Sequence, residues 1–296
     1  MTDQIPLKAV RSGDEVVAIG EFESGDTIGA TYISGFRERL TADRTYYIRT
    51  DGSDTNNGLT NSSAGAFLTI QKAVDVVCGQ IDAGEYQVTI QLGSGTYSLS
   101  SQVTFYRALG AKAPILKGDE TTPSNVVVFS ESAISLFVFS YGAEWVISGI
   151  QIGGPQVYFS IYAPYGGAYV GIKALRFDAV ASTGTHIFAM NGSIVEILGS
   201  YTITGGARFH WNASQNAIIF SVGARTITLT GTPAFGLAFV KAQTAVIRPF
   251  SITFSGAATG PRYLVQALGS INTNAAGETY LPGNAAGTLE TGGIYV

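Results

Sequence analysis

Glu131, Glu144, Asp178 and Glu196 are the four acids between Ser130 and Gly256. Acid–base chemistry in that stretch has to come from them. Two carboxyl groups held about 5–10 Å apart hydrolyse glycosidic bonds, one protonating the leaving oxygen while the other attacks or activates water. The stretch repeats, and aligning its repeats on Ile152, Phe177, Ile203 and Leu229 puts Glu144 eight residues before its marker and Glu196 seven before. That offset predicts opposite faces of a strand, two repeats apart. Asp178 follows its marker directly, elsewhere on the perimeter. No pair is forced together within a chain, so catalytic residues are assigned to none. Glu131 with Glu144, or pairs across a groove between subunits, stay open as candidates. His186 and His210 lie about one repeat apart but have no carboxylate or cysteine partner at a metal-binding spacing. They read as edge or corner histidines, and no metal site is expected. The run Asp51 to Asn57 is rich in oxygen ligands, which suits either a cation or a hydrogen-bonded loop.

Aromatic residues offer a second kind of chemistry. Tyr141, Trp145, Tyr158, Phe159, Tyr162, Tyr165 and Tyr169 fall within twenty-nine residues, and strict alternation along strands sends some of them outward. Sugar rings stack their C–H faces on flat aromatic surfaces, and tyrosine adds a polar tip. Trp145, Tyr158, Tyr162, Tyr165 and Tyr169 are therefore the candidate glycan-binding residues. The competing expectation is that these side chains fill a core or an interface between subunits.

The elements that must position these residues are strands. Ile150 and Ile152 are followed by Leu175 and Phe177, Tyr201 and Ile203, Ile227 and Leu229, and Ile252 and Phe254. A period of twenty-five or twenty-six residues marks a repeat architecture, and alternation of apolar with small or polar residues makes the unit a strand. A second set of apolar runs, such as Val157 to Ile161 and His186 to Ala189, lies between the first, separated by corners such as Gly205-Gly206 and Gly231-Thr232-Pro233. No helical spacing interrupts them, so each coil holds at least two strands. The fold class is all-β, a parallel β-helix of roughly seven coils with apolar columns inside.

Composition supports this and narrows the partners. Of 296 residues, 37 are glycine, 46% are apolar and 13% charged, which suits a solenoid rich in turns. Net charge is −4, which argues against nucleic acid. No apolar run approaches a membrane span of about eighteen residues, and the N-terminus lacks the pattern of a signal peptide. Cys78 is the single cysteine, so no intrachain disulfide forms, and it reads as core.

Charge also marks boundaries. Residues 1–45 are rich in acids and bases and read as a small anchoring segment whose short apolar stretches, Val16 to Ile19 and Ile28 to Ile33, fit two or three strands. Residues 46–80 supply a first strand, a turn-rich loop and a helix on which Ile70, Ala73, Val74, Val77 and Cys78 share a face, with Thr69 as N-cap and Gly79 as stop. Such a helix covers the open end of a solenoid. Residues 81–268 form the β-helix. Residues 269–296, poor in large apolar side chains, read as a cap or a contact with neighbouring chains.

Asp51-Gly-Ser-Asp-Thr-Asn-Asn-Gly58, then Ala66-Phe-Leu-Thr-Ile-Gln-Lys-Ala-Val-Asp75, then Val88-Thr-Ile-Gln-Leu-Gly-Ser-Gly-Thr-Tyr97 resembles the start of right-handed parallel β-helix proteins of the pectate-lyase-like superfamily. The likeness spans about fifty residues and implies a fold, not an activity. Leu7 to Gly13 with Ile19 to Ile28, and the tail Tyr280 to Val296, are similar to terminal segments of bacteriophage tail and fibre proteins. The resemblance implies a virion spike or fibre: a homotrimer held on the particle by its N-terminal segment and presenting the β-helix to the host surface. With the aromatic cluster this makes a host-surface polysaccharide the expected ligand, and neither a cofactor nor membrane insertion is expected. Three readings stay open: an adhesin that does not cleave its glycan, a depolymerising glycosidase or lyase with carboxylates at a subunit groove, and a structural collar or capsid decoration protein.

Overall fold

The structure, a computed structural model, describes residues 7–12, 15–21 and 37–296. The chain divides after Arg37 into two units. In the first, Leu7–Ser12 and Glu15–Glu21 pair antiparallel, Leu7 opposite Glu21, with a register shift between Val10 and Arg11. The other expected strand, Ile28 to Ile33, lies outside the described residues.

The second unit is a right-handed parallel β-solenoid of about eight turns and about 26 residues per turn. Three parallel sheets of ten, seven and eight strands form its walls, here called sheets 1, 2 and 3 in the order the chain visits them. One coil shows the plan: Glu144–Ser148 in sheet 1, Gln151–Gly153 in sheet 2 and Phe159–Ala163 in sheet 3. The next coil repeats it with Tyr169–Lys173, Arg176–Phe177 and Thr185–Ala189.

Alternation within each strand builds the core. Trp145, Val170, Val195, Ile219, Ile247 and Ile271 stack in register on the inside of sheet 1, and all are buried. Val128, Ile152, Phe177, Ile203 and Leu229 do the same in sheet 2. Sheet 3 departs from strict alternation. Leu136 with Phe137, Ser160 with Ile161, His186 with Ile187, and His210 with Trp211 are consecutive residues, and both members of every pair are at most 1% exposed. The amides of His210 and Trp211 both reach the Phe239 carbonyl, at 2.9 and 3.1 Å. A bulge-like bend therefore turns two adjacent side chains inward in these four coils and leaves those on either side, such as Phe159 and Tyr162, facing out; Val103–Phe105 and Tyr263–Gln266 at the two ends of the sheet keep strict alternation.

The end is capped as the sequence predicts. Helix α1, Ile70–Gln80, buries Ile70, Ala73, Val74, Val76, Val77 and Cys78 and packs against Arg44–Ile48, Val88–Leu92 and Val103–Phe105. The Thr69 hydroxyl accepts from the Lys72 amide at 3.2 Å. Asp54 accepts from the Leu68 and Thr69 amides at 2.9 Å and from the Thr69 hydroxyl at 2.7 Å. The helix runs one residue past Gly79, the expected stop.

Three details differ from the sequence reading. The solenoid starts earlier, because Arg44–Ile48 already pairs with Val88–Leu92. It also extends past residue 268: Ser270–Ile271 pairs with Ile294–Tyr295, and Thr288–Leu289 joins sheet 3. The Tyr280 hydroxyl lies 2.7 and 2.6 Å from the carbonyl oxygens of Pro249 and Ile252, to one of which it donates, Leu281 is buried, and Tyr263 stacks on Tyr295 at 4.1 Å. The C-terminal segment thus packs on its own chain. In the last long repeat Phe254 opposes Ile227, not Leu229, a register step of two residues.

Close stacking of coils fixes some corners as glycine. Gly256 has φ +98°, and a Cβ there would stand 2.1 Å from the Leu229 carbonyl oxygen. Gly256→Ala therefore meets both a left-handed backbone and a clash. It should lower the unfolding free energy by at least about 1–3 kcal/mol, read from a shifted urea midpoint at unchanged slope.

Candidate functional site

The acids distribute differently from the prediction. Glu144 pairs with Tyr169, and Glu196 with Gly171, two residues further along the same strand. Both carboxylates therefore face outward from sheet 1, not from opposite faces. The corner Leu198–Ser200 holds one residue more than the corner before it, since Arg176 pairs with Thr202, and this shifts the count from the marker without shifting the face. Tyr169 lies on the coil between them and donates to Glu196 Oε2 at 2.7 Å. Burial first, then the hydrogen bond to Glu196 and the charges of Glu196 and Glu144, push its hydroxyl pKa well above the ordinary value.

The other two acids stand apart. Asp178 accepts from Gln151 and Thr204, each at 2.5 Å, and lies 3.8 Å from Arg176 Nε. It ties three coils of sheet 2 together. Glu131 lies in the corner before Ser135–Phe139 and Glu144 opens the strand after it. A five-residue strand of roughly 16 Å separates the two corners, so Glu131 and Glu144 are not brought together.

Two acids the repeat alignment passed over sit in a better-formed site. Asp119 and Glu120 line a polar cleft of about 830 Å³ with Arg49, Asp51, Gln91 and Lys117. Asp119 accepts from the Thr121 and Thr122 amides at 2.9 Å and from Asn125 at 2.8 Å. The Thr122 amide and Asn125 hold it below the usual carboxylate range. Glu120 accepts from Ser148 and pairs with Lys173 at 2.9 Å and Lys117 at 3.9 Å. Burial raises its pKa, but Ser148 and the lysines outweigh that and hold it low. Both are ionised at neutral pH, so neither is tuned as the proton donor a glycosidase needs. These two acids lie in a corner, where apolar periodicity carries no signal; only their sequence neighbours Lys117 and Thr121 hint at a polar loop.

The Asp51–Gly58 loop is engaged by its own chain. Asp51 pairs with Arg49 at 2.7 Å, Asp54 caps the helix, and Asn56 donates to the carbonyls of Ser63 and Ala66 at 3.0 and 2.8 Å. Among the described residues no cluster of three or more His, Cys, Asp or Glu could hold a metal ion.

The histidines are in the core, not at an edge. Both are fully buried as the inward partners of Ile187 and Trp211. His186 Nδ1 and His210 Nδ1 are 3.0 Å apart, His186 Nε2 is 3.0 Å from the Asp178 carbonyl, and His210 Nε2 is 2.6 Å from the Tyr201 hydroxyl. Trp211 Nε1 donates to that hydroxyl at 3.0 Å. Burial pushes His186 down to about 3 and His210 well below its ordinary value, the latter also through His186.

The aromatic candidates divide. Trp145 has no exposed surface and donates from Nε1 to the Tyr106 carbonyl at 2.9 Å; it is core and offers no face to a ligand. Tyr169 is half-buried and bound to Glu196. Tyr162 is half-buried on the outer face of sheet 3, its ring 4.5 Å from Phe159 and 5.5 Å from Phe188. Tyr158 and Tyr165 are exposed. Tyr141, absent from the candidate set, is the most exposed of these tyrosines at 70% and lies 4.7 Å, ring to ring, from Tyr165 at 42%. The two occupy equivalent corners between sheets 3 and 1 on successive coils. Comparison of the chain with family models, curated proteins and solved structures finds no match.

Proposed function

We propose that the chain is a virion spike or fibre protein that binds a host-surface polysaccharide without cleaving it. The carrying observation is the Tyr141–Tyr165 pair: two exposed rings one coil apart on an acid-poor rod, with Tyr158 exposed at another corner. An apolar ring with a polar hydroxyl suits a sugar, whose two faces have the same mixed character. On this reading three copies assemble, residues 1–45 attach them to the particle, and the β-helix meets the bacterial surface; that part rests on the resemblance read from the sequence of the chain's ends alone.

The depolymerising reading retains one observation, the shared outer face of Glu144 and Glu196 with Tyr169 between them. Light scattering on a sizing column separates the two. Purified capsular polysaccharides and lipopolysaccharides from a bacterial panel should keep their mass after incubation, with the protein co-eluting on at least one of them. Tyr141→Ala with Tyr165→Ala should weaken that binding about tenfold, at roughly 0.5–1.5 kcal/mol per ring. A fall in polymer mass that Glu144→Gln or Glu196→Gln abolishes would replace the adhesin by an enzyme. Separate elution from every member of the panel would leave the structural reading.

A further inference from the structure

Outward positions on a solenoid wall are ordinarily polar, and sheet 1 breaks that rule in its second half. Ile194, Ile218 and Val246 occupy one outward register position on three successive coils, and Glu196, Phe220 and Arg248 occupy the next. Their inward neighbours Val195, Ile219 and Ile247 are buried in the core. Val222, two residues past Phe220, is 74% exposed. Ile294 and Val296 continue the two columns in the last coil, and both are exposed. A contiguous apolar patch on a wall marks a contact surface.

The charges on this face say what covers it. Glu196 and Arg248 stand one coil either side of Phe220, about 10 Å apart at the usual strand spacing, too far for an ion pair within the chain. Arg248 is exposed, and among the described residues it forms no ion pair. Turning a second copy over about an axis along the Ile218–Phe220 strand keeps every strand direction and reverses the order of coils. Phe220 then meets Phe220, Ile218 meets Ile218, Ile194 meets Val246, and each Glu196 meets an Arg248. The face is complementary to itself, as a two-fold contact requires. Two copies with parallel axes would instead bring Glu196 onto Glu196 and Arg248 onto Arg248. Seven strands, from Glu144–Ser148 to Ile294–Tyr295, extend about 30 Å along the axis, and a five-residue strand about 16 Å across it. The pair therefore covers roughly 500 Å² of each copy in projection, or about 1,000 Å² in all, the lower end for a specific interface.

We propose that the outer face of sheet 1 binds a second copy of this chain, the two solenoids lying side by side with antiparallel axes. Two sheets packed face to face interdigitate their side chains at a separation of about 10 Å. The isoleucine and phenylalanine positions supply the apolar centre, and the two Glu196–Arg248 contacts fix which way round the copies meet. The inference is independent of the glycan-binding reading, because Tyr141 and Tyr165 lie in the corners before Glu144 and Tyr169, at the rim of the face, and stay open. It is independent of the three-copy assembly too, since a two-fold contact doubles whatever the other faces build. Glu196 and Tyr169 are covered in the pair, so no substrate enters between Glu144 and Glu196.

Sedimentation equilibrium of the full-length protein across a range of concentrations tests the pair. The natural chain should associate in an even number of copies, two, or six where the three-copy assembly also forms, and Ile218→Asp should halve that mass. Glu196→Arg and Arg248→Glu should each raise the dissociation constant of the pair about a hundredfold, since each turns two opposite-charge contacts into like-charge ones. An equimolar mixture of those two variants should pair again, because each supplies the charge that the other lacks. Melting curves identify any variant that has lost its fold. An odd number of copies in the natural chain, a mass that Ile218→Asp leaves unchanged, or no recovery in the mixture would overturn the pair. Loss of polysaccharide binding by Ile218→Asp at unchanged mass would assign the face to the glycan instead, and overturns it too. Whichever way the mass falls, the bacterial panel above decides the glycan-binding reading separately.

Discussion

Unfolding free energy should fall by about 4 kcal/mol between pH 7.5 and pH 5, because two histidines must gain protons that the folded core refuses. The chain has two histidines, and both are in the buried network. His186 is held down to about 3 and His210 well below its ordinary value, burial being the first cause in each. An unfolded histidine titrates near 6.5. Above that value both states are neutral and the full stability is present. Below it the unfolded chain binds more protons than the folded one, so stability declines as pH falls, by up to about 1.4 kcal/mol per pH unit for each histidine. The decline for His186 continues until pH approaches 3. Asp119 and Glu120 act in the same direction, but their stabilisation is lost only below about pH 4.5, where unfolded carboxylates protonate. The window from 7 to 5 therefore reports the histidines. Urea unfolding at intervals of half a pH unit measures the slope, and a His186→Leu, His210→Phe variant should flatten it. A flat profile in the natural chain, or an equal slope in the variant, would mean that the histidines are not held neutral in the core.

The same histidines show where sequence reasoning stops. Period and alternation gave the strands, the coil length and the inward columns of sheets 1 and 2, because an inward Ile or Val in one coil must sit over one in the next. Alternation failed in sheet 3, where the bend turns two neighbours inward; a polar residue beside Ile187 or Trp211 then reads as outward although it is buried. Register was legible only in its parity. Moving a strand by two residues keeps every side chain on its face, so the opposition of Phe254 to Ile227 instead of Leu229 left no trace in the pattern. Counting back from a marker was less safe, because one extra residue in the Leu198–Ser200 corner inverted the apparent facing of Glu196 while its strand stayed in register. Corners carry no period at all. Asp119, Glu120 and Tyr141 lie in corners, and stacking of coils, which a linear reading does not see, brings Tyr141 over Tyr165 and Lys173 to Glu120. The paucity of large apolar residues near the C-terminus left a cap and a contact with other chains equally open; Tyr280, Leu281 and Tyr295 pack that segment on its own chain.

Tyr201→Phe should cost about 2–6 kcal/mol, far more than removing one hydroxyl from a surface. The tyrosine is 4% exposed, and its oxygen stands between Trp211 Nε1 and His210 Nε2. The direction of the chain of hydrogen bonds follows from its ends. The Asp178 carbonyl only accepts, so His186 carries its proton on Nε2 and offers Nδ1 as an acceptor; His210 then donates from Nδ1 and accepts at Nε2. The Trp211 indole only donates, so the Tyr201 oxygen accepts from it and donates its own proton to His210. The two ends demand the same order, and no reversed tautomer satisfies both. Phenylalanine leaves a buried donor and a buried acceptor unpaired at once, each costing about 1–3 kcal/mol. Reversing the imidazoles does not help, because His186 Nδ1 would then face another acceptor or the Asp178 carbonyl would lose its donor. Trp211→Phe with Tyr201→Phe should cost less than the sum of the single changes, since the first removes the donor that the second strands. Nitrogen-15 correlation spectra of the natural protein test the order itself: His186 must be the Nε2–H tautomer and His210 the Nδ1–H tautomer. Additive losses in the double variant, or the opposite tautomer at either ring, would show that the five groups do not act as one chain.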